Sequence, residues 1–379
     1  MMRVSLFDEG LEIPIEGEVA YFNYYWLRDN CPSSWDGITQ ERIFDILDEP
    51  DDIQIRQVEA DDHALNIIWH DGHESRFELT WLVRWYKERS HEDLAIRHRT
   101  PWYCDHYKKM ARFDFDDLLE NPASVVGWTE KLLDEGVALV QNMPSSNKEL
   151  EHLCELIGVV RPSFSGYAFD VFSKKNPENL AYTSRALELH TDLPPEELAP
   201  GIQFLHCRTN DAEGGDSLFV DAVSVANALK ETYPEYFDIL TSYKVPFRYT
   251  TKHHDVRAKQ RIIEIDEDNG EVSGINFSQH LSDIFDLPQR ILDVFYPAFR
   301  KFGQMMQDPR YLMRFRLNGG ECIVFDNHRI VHGRSSFKDG SGDRFLRGCY
   351  VGRGDLRSTY RVLRAKYPKE SLLICETGT

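Results

Sequence analysis

Two histidines and one carboxylate restrict this chain more than any other feature: His190 and Asp192 in the run Leu189-His190-Thr191-Asp192, and His332 in Asn327-His328-Arg329-Ile330-Val331-His332-Gly333. Such a donor set occupies one face of an octahedral iron(II) and leaves the opposite face open for a chelating co-substrate and oxygen. His190 and Asp192 reach one ion if the backbone between them is extended, because residues i and i+2 of a strand point to the same side. His332 lies far downstream, so only a barrel or sandwich that returns a late strand beside an early one can complete the set. An isolated His-x-Asp pair says little, since both residue types also serve caps and surface pairs.

The pattern gains weight from Arg344, which opens the strand-like run Arg344-Phe345-Leu346-Arg347-Gly348-Cys349-Tyr350-Val351. Period-two alternation puts Arg344, Leu346, Gly348 and Tyr350 on one face. An inward-facing arginine there grips a carboxylate through two parallel charge-assisted hydrogen bonds; an arginine exposed at a barrel rim is the alternative. His-x-Asp with a distant His also suits a zinc hydrolase with water at the open position, but that chemistry has no use for Arg344. A degenerate sensor retaining only the fold is disfavoured because all three ligands and the arginine are present.

At 379 residues and a formal charge of −19, the chain is long enough for two domains and too acidic for a nucleic-acid partner, whose phosphates demand a basic footprint. No apolar run approaches a membrane span, and the start, Met1-Met2-Arg3-Val4-Ser5-Leu6-Phe7-Asp8-Glu9, lacks a secretory apolar region, so a cytoplasmic location is expected. The seven cysteines follow no disulfide framework and are read as reduced thiols, with Cys207, Cys322 and Cys349 packing as small hydrophobes.

Residues 1–100 read as a small β-rich domain with strands at Glu18–Phe22, Ile53–Val58, Ala64–Trp69 and Ser75–Leu79, an Asp71-Gly72 hairpin turn, and a helix starting at Trp81. A linker rich in charge, aromatics and proline runs through His98, Pro101, Trp102 and Tyr107, and the larger domain spans 110–379. There, Asn121-Pro122 opens an amphipathic helix ended by Gly136, the strand Val137–Val140 follows, and a helix from Asn147 ends at Gly158. Further strands are expected at Ile202–Cys207, Ser217–Asp221, Glu321–Asp326 and Arg344–Val351. Between the second and third of these lies a long insertion: a helix from Ala222 to Glu231, a polar charged stretch from Thr250 to Lys259, and a helix from Pro288 to Met306 with Pro297 placed to kink it.

His190-Thr191-Asp192, His332, Arg344 and Gly214-Gly215-Asp216-Ser217 together resemble the iron(II)/2-oxoglutarate dioxygenases of the taurine dioxygenase superfamily. Trp26-Leu27-Arg28-Asp29-Asn30-Cys31-Pro32, Ala181-Tyr182-Thr183, Phe204-Leu205-His206-Cys207 and Phe325-Asp326-Asn327 resemble its γ-butyrobetaine hydroxylase branch, over nearly the whole chain. The resemblance implies a β-rich α+β fold, a double-stranded β-helix (jelly roll) with flanking helices, behind the small N-terminal β-rich domain. It implies Fe(II) held by His190, Asp192 and His332, with 2-oxoglutarate and O2 as co-substrates and the distal carboxylate of 2-oxoglutarate on Arg344, helped by Ser217. Asp326 and Asn327 either orient the His332 segment or merely cap a strand end.

The small-molecule substrate implied by the resemblance carries a trimethylammonium group, which cannot donate hydrogen bonds and is recognised by aromatic faces. Tyr182 and Tyr350 match cage positions, and Phe169 falls where an aromatic is often found; Asn179 and Arg185 are candidates for the anionic end. The expected reaction is hydroxylation of γ-butyrobetaine to carnitine or of 2-(trimethylammonio)ethylphosphonate beside phosphorus, with trimethyllysine as a further option. Extra donors suit a phosphonate, which has more charge and more acceptor oxygens than a carboxylate. Relatives often form a homodimer through the first module. They also hold a structural zinc there through Cys-Pro-Cys-x-x-Cys and a later His; here the run is Cys31-Pro32-Ser33-Ser34-Trp35-Asp36, with His73, so two soft ligands are missing and no stable zinc is expected unless Asp36 substitutes.

Overall fold

The structure is a computed structural model that describes residues 2–88, 93–164, 166–172 and 182–368. The chain divides into two compact units, Met1–Asp93 and Leu94–Thr379. In the first, β1 (Ser5–Leu6), β2 (Gly10–Ile15) and β3 (Glu18–Asn23) form an antiparallel sheet that leads into α1 (Tyr24–Asp29). A second antiparallel sheet, β4 (Ile55–Ala60), β5 (Ala64–Trp69) and β6 (Glu74–Glu78), leads into α2 (Leu79–Lys87). Alternation drives the packing: Leu65, Ile67 and Trp69 of β5 are buried with Leu11 and Ile13 of β2, Phe77 of β6 and Leu82 of α2.

Where the resemblance implies a zinc, Cys31 Sγ lies 3.1 Å from Ser33 Oγ and 3.3 Å from His73 Nε2, and Ser33 Oγ lies 3.3 Å from His73 Nε2. Asp36 is turned away from such use, its carboxylate accepting the backbone N–H groups of Ile38 and Thr39. One thiol, one imidazole and a hydroxyl do not make up a closed four-ligand zinc site.

The second unit opens with β7 (Arg112–Asp114), α3 (Phe115–Glu120), α4 (Pro122–Asp134), β8 (Val137–Gln141) and α5 (Asn147–Glu155). The strands β9 (Val160–Arg161), β10 (Phe169–Val171), β11 (Leu187–His190), β12 (Ile202–Asn210) and β13 (Ser217–Asp221) follow. After them come α6 (Ala222–Thr232), α7 (Pro234–Ser242), β14 (Lys244–Thr250), β15 (Asp255–Arg261), β16 (Ile263–Ile265), β17 (Val272–Ile275) and α8 (Gln289–Met306). The chain closes with β18 (Met313–Phe315), β19 (Glu321–Asp326), β20 (Ile330–Arg334), β21 (Arg344–Val351) and α9 (Arg353–Lys366).

Two sheets make the jelly roll: a seven-stranded one in the order β10-β21-β12-β19-β8-β7, with β9 also on β21, and a four-stranded one in the order β11-β20-β13-β18. The major sheet is buried on both faces. Ala138, Val140, Phe204, Cys322 and Val324 pack outward beneath Val125, Trp128 and Leu132 of α4. Their strand neighbours Val137, Leu139, Cys207, Ile323 and Phe325 pack inward against Phe219, Phe315 and Ile330 of the minor sheet. Burial on both sides explains the almost uninterrupted apolar runs of β8 and β19.

The insertion between β13 and β18 has its own core, in which Phe237, Phe247, Ile263, Phe295 and Phe299 meet. The polar stretch expected over Thr250–Lys259 is instead largely strand, β15 pairing along its length with β14, because alternate charged side chains face solvent on a two-stranded ribbon. Pro297 sits inside α8, which continues through it to Met306.

One buried ion pair ties this unit together. Arg329 donates from Nε to Asp221 Oδ1 at 3.0 Å and from Nη2 to Oδ2 at 2.7 Å, and also reaches the carbonyls of Asp134 and Thr100. Removing the cation alone leaves the Asp221 carboxylate, 1% exposed, without its partner. Arg329→Met is therefore expected to destabilise this unit by about 3–5 kcal/mol, measured by urea or thermal unfolding; a midpoint equal to that of the parent would show that the pair is not what joins these segments.

Candidate active site

Sheet register assembles the site. His190 at the end of β11 and His332 in β20 are direct cross-strand partners, and Phe219 of β13 faces His332 from the other side. Asp192 follows two residues after His190, where the chain leaves the strand. Its backbone is clamped by Asn327, whose Oδ1 accepts the Asp192 N–H at 2.7 Å and whose Nδ2 donates to the Asp192 carbonyl at 3.0 Å. Leu193, at φ 56°, takes the left-handed turn that leads away. Asp326, beside Asn327, serves elsewhere, receiving Arg353 at 3.2 Å and capping the His328 N–H.

The donor atoms of His190, Asp192 and His332 all lie within 4.8 Å of one another. Asp192 Oδ1 is 3.2 Å from His190 Nε2 and 3.7 Å from His332 Nε2. His190 Nδ1 is 2.8 Å from the Glu188 carbonyl, which can only accept, so Nδ1 carries the proton of that bond and Nε2 faces the cluster. Burial, reinforced by neighbouring His190, pushes His332 down to about 3 and keeps it neutral. Burial alone would raise the Asp192 carboxyl, but the hydrogen bond and charge of His190, with His332 and the Tyr350 hydroxyl, hold it below the usual carboxylate range. Two imidazole nitrogens and a carboxylate oxygen converging on one point fit a divalent cation.

The cavity beside this cluster is lined by every described candidate except Arg185: His190, Asp192, His332, Arg344, Ser217, Tyr182, Tyr350 and Phe169. Tyr350 donates its hydroxyl to Asp192 Oδ2 at 2.7 Å, and the Phe169 and Tyr350 ring centroids are 5.3 Å apart. Gly348 makes that approach possible, since a Cβ there would meet Phe169 Cζ at 2.4 Å. Arg344 stands at the other end of β21 from Tyr350. Its Nε is buried without a hydrogen-bond acceptor among the described residues, and burial lowers the guanidinium to about 10, still cationic near neutrality. A largely buried cation with no carboxylate against it among the described residues is a place for an anion.

Arg185 is exposed, and its carbonyl accepts from Arg334 Nη2 at 2.6 Å, as does the Thr183 carbonyl. Its side chain does not line the cavity because the chain here runs along the rim, tethered through its backbone. Asn179 falls outside the described residues. The structure adds lining residues that sequence reasoning did not single out: Gln203, Arg334, Tyr249 and His280. His280 stands edge-on to His190 with ring centroids 4.8 Å apart. Gln203 carried a legible signal, an amide between the apolar Ile202 and Phe204; His280, in a short helical turn of the insertion, carried none.

The jelly roll and its metal-binding triad define a non-haem iron(II)/2-oxoglutarate-dependent dioxygenase. Residues 95–350 match the family described as "Taurine catabolism dioxygenase TauD, TfdA family", and the chain belongs to it; residues 4–83 match "Gamma-butyrobetaine hydroxylase-like, N-terminal". The chain is 36% identical to the gamma-butyrobetaine dioxygenase of Pseudomonas sp. (strain AK-1) over 371 residues, 96% of each chain. It is 30% identical to the trimethyllysine dioxygenase of Meyerozyma guilliermondii over 369 residues, 92% of this chain and 91% of that one. Among solved structures, AAD-2 in complex with Mn(II) and N-oxalylglycine shares the fold at 14% identity and a TM-score of 0.50, covering 62% of this chain and 90% of that one. Among the described residues no helix is long and apolar enough to cross a membrane.

Proposed function

We propose that this chain hydroxylates γ-butyrobetaine to carnitine, with residues 110–379 as the catalytic domain and residues 1–100 as a structural module. The observation that carries this reading is the juxtaposition of the His190, Asp192 and His332 donors with the rings of Tyr350 and Phe169 and the neighbouring Tyr182 in one cavity. Aromatic faces attract a quaternary ammonium, which has no N–H to donate. The similarity to a gamma-butyrobetaine dioxygenase over 96% of the chain supports the carboxylate partner. The extra cation that motivated a phosphonate, Arg185, does not line the cavity.

In this reading His190, Asp192 and His332 hold iron(II), which when bound couples oxidative decarboxylation of 2-oxoglutarate to C–H hydroxylation. Arg344 holds the distal carboxylate of 2-oxoglutarate, with the Ser217 hydroxyl as a further donor; Ser217 is 7% exposed and lines the same cavity. Tyr350 has two duties: its hydroxyl fixes Asp192 Oδ2, leaving Oδ1 for the metal, and its ring faces the substrate. Asn327 sets the position of Asp192 through its backbone. The free thiols of Cys31, Cys104, Cys154, Cys207, Cys322 and Cys349 support a reducing, cytoplasmic setting.

The deciding experiment loads iron(II) without oxygen, then follows succinate and hydroxylated product in air with γ-butyrobetaine, 2-(trimethylammonio)ethylphosphonate and trimethyllysine in parallel. One-to-one coupling with γ-butyrobetaine is expected. Coupling with another of the three alone would move the assignment to that substrate, and stimulation by none would remove the trimethylammonium reading.

A further inference from the structure

Gln203 is a polar group in the cavity wall that the roles above leave unused. It lies on β12, where Ile202 and Phe204 pack outward under the helices while Gln203 and Leu205 turn into the cavity. Its cross-strand partners are Tyr350 of β21 and Phe325 of β19. The residue is 1% exposed, and its amide oxygen Oε1 is buried with no hydrogen-bond partner among the described residues. A buried amide oxygen left without a partner destabilises a fold, so such groups are seldom orphaned without a reason.

Two of the nearby donors are already engaged. The Tyr350 hydroxyl is bonded to Asp192 Oδ2, and the Asn327 amide donates to the carbonyls of Asp192 and Pro200. A ligand in the cavity can supply the complement to Oε1. Register says which ligand: Arg344 pairs with Asn210 at the far end of β12, on the order of 20 Å from the Tyr350 end at strand spacing. Gln203 thus lies away from the arginine that suits 2-oxoglutarate's distal carboxylate and beside the aromatic group of Tyr350 and Phe169.

A trimethylammonium group has no N–H to donate, yet its positive charge is spread over methyl hydrogens that favour an acceptor oxygen through C–H···O contact and charge–dipole attraction. A neutral amide oxygen provides this without the large desolvation penalty of a buried carboxylate. We propose that Gln203 is a specificity-determining residue, its amide oxygen receiving the N-methyl face of a trimethylammonium substrate beside the Tyr350 and Phe169 rings, which rise from the same face of the sheet. This rests on the trimethylammonium reading above. The amide makes the pocket discriminate charge as well as shape, because a neutral tert-butyl group of the same size gains nothing from Oε1.

The test uses anaerobic calorimetric titration of the full chain loaded with iron(II) and 2-oxoglutarate. The probes are γ-butyrobetaine and 5,5-dimethylhexanoate, in which carbon replaces the charged nitrogen. Gln203→Leu and Gln203→Met, two apolar replacements of similar volume, are each expected to weaken γ-butyrobetaine roughly tenfold, with the neutral isostere changing less than about twofold. Equal weakening of both probes would show a packing role and overturn the proposal, as would unchanged affinity for both. If the parent protein binds γ-butyrobetaine and the variants bind it as tightly, the Gln203 assignment alone fails; if the parent does not bind it, the trimethylammonium reading falls and the proposal with it.

Discussion

Asp192→Ala is expected to abolish succinate-coupled hydroxylation while the protein stays folded. Asp192 supplies the only anionic donor of the triad, and its Oδ1 lies between the Nε2 atoms of His190 and His332. Loss of a residue that merely orients a metal ligand typically costs about 10–100-fold, so loss of the carboxylate itself should exceed that, on the order of a thousandfold. The fold should survive because Asn327 holds Asp192 through its backbone N–H and carbonyl, both of which alanine keeps. Iron retained after dialysis and succinate formed per enzyme are the paired measurements. A variant that forms succinate at the parental rate would sink the metal assignment.

Arg344→Ala is expected to raise the KM for 2-oxoglutarate by a hundredfold or more, since each of two charge-assisted hydrogen bonds contributes roughly 1.5–3 kcal/mol. The KM for the proposed trimethylammonium substrate should move far less, because Arg344 and Tyr350 stand at opposite ends of β21. Arg344→Lys should recover only part of the loss, a point charge lacking the planar fork. Comparable rises in both KM values would place Arg344 elsewhere in the chemistry. The alanine variant is not expected to be destabilised, as it removes a largely buried guanidinium that no carboxylate balances among the described residues.

How far the site could be read from sequence differs from residue to residue. The alternation of β21 put Arg344, Leu346 and Tyr350 on one face, and all three line the cavity. The strands β5, β8, β12, β13, β19 and β21 were legible because each carries a run of apolar residues bounded by turn formers. The strand Gly10–Ile15 was missed, its proline and glutamate masking the alternation of Leu11, Ile13 and Ile15. Asp255–Arg261 looked like a loop because its charges, lying on a ribbon with an open face, are solvated.

Local chemistry written along the chain determined the strands, the donor types of the triad and the polar exceptions among apolar neighbours, because period-two alternation and side-chain identity need no knowledge of what folds against them. Which residues met was decided only in three dimensions. Pairing of β11 with β20 set His190 against His332, and the same association of strands brought Arg329 to Asp221, Asn327 to Asp192 and Gln203 to Tyr350. It also left Arg185 on the rim and carried His280 in from the insertion. Those outcomes depend on register between segments far apart in sequence, where a slip of one residue reverses every side chain, and register is set by the packing of two whole sheets rather than by any stretch within them.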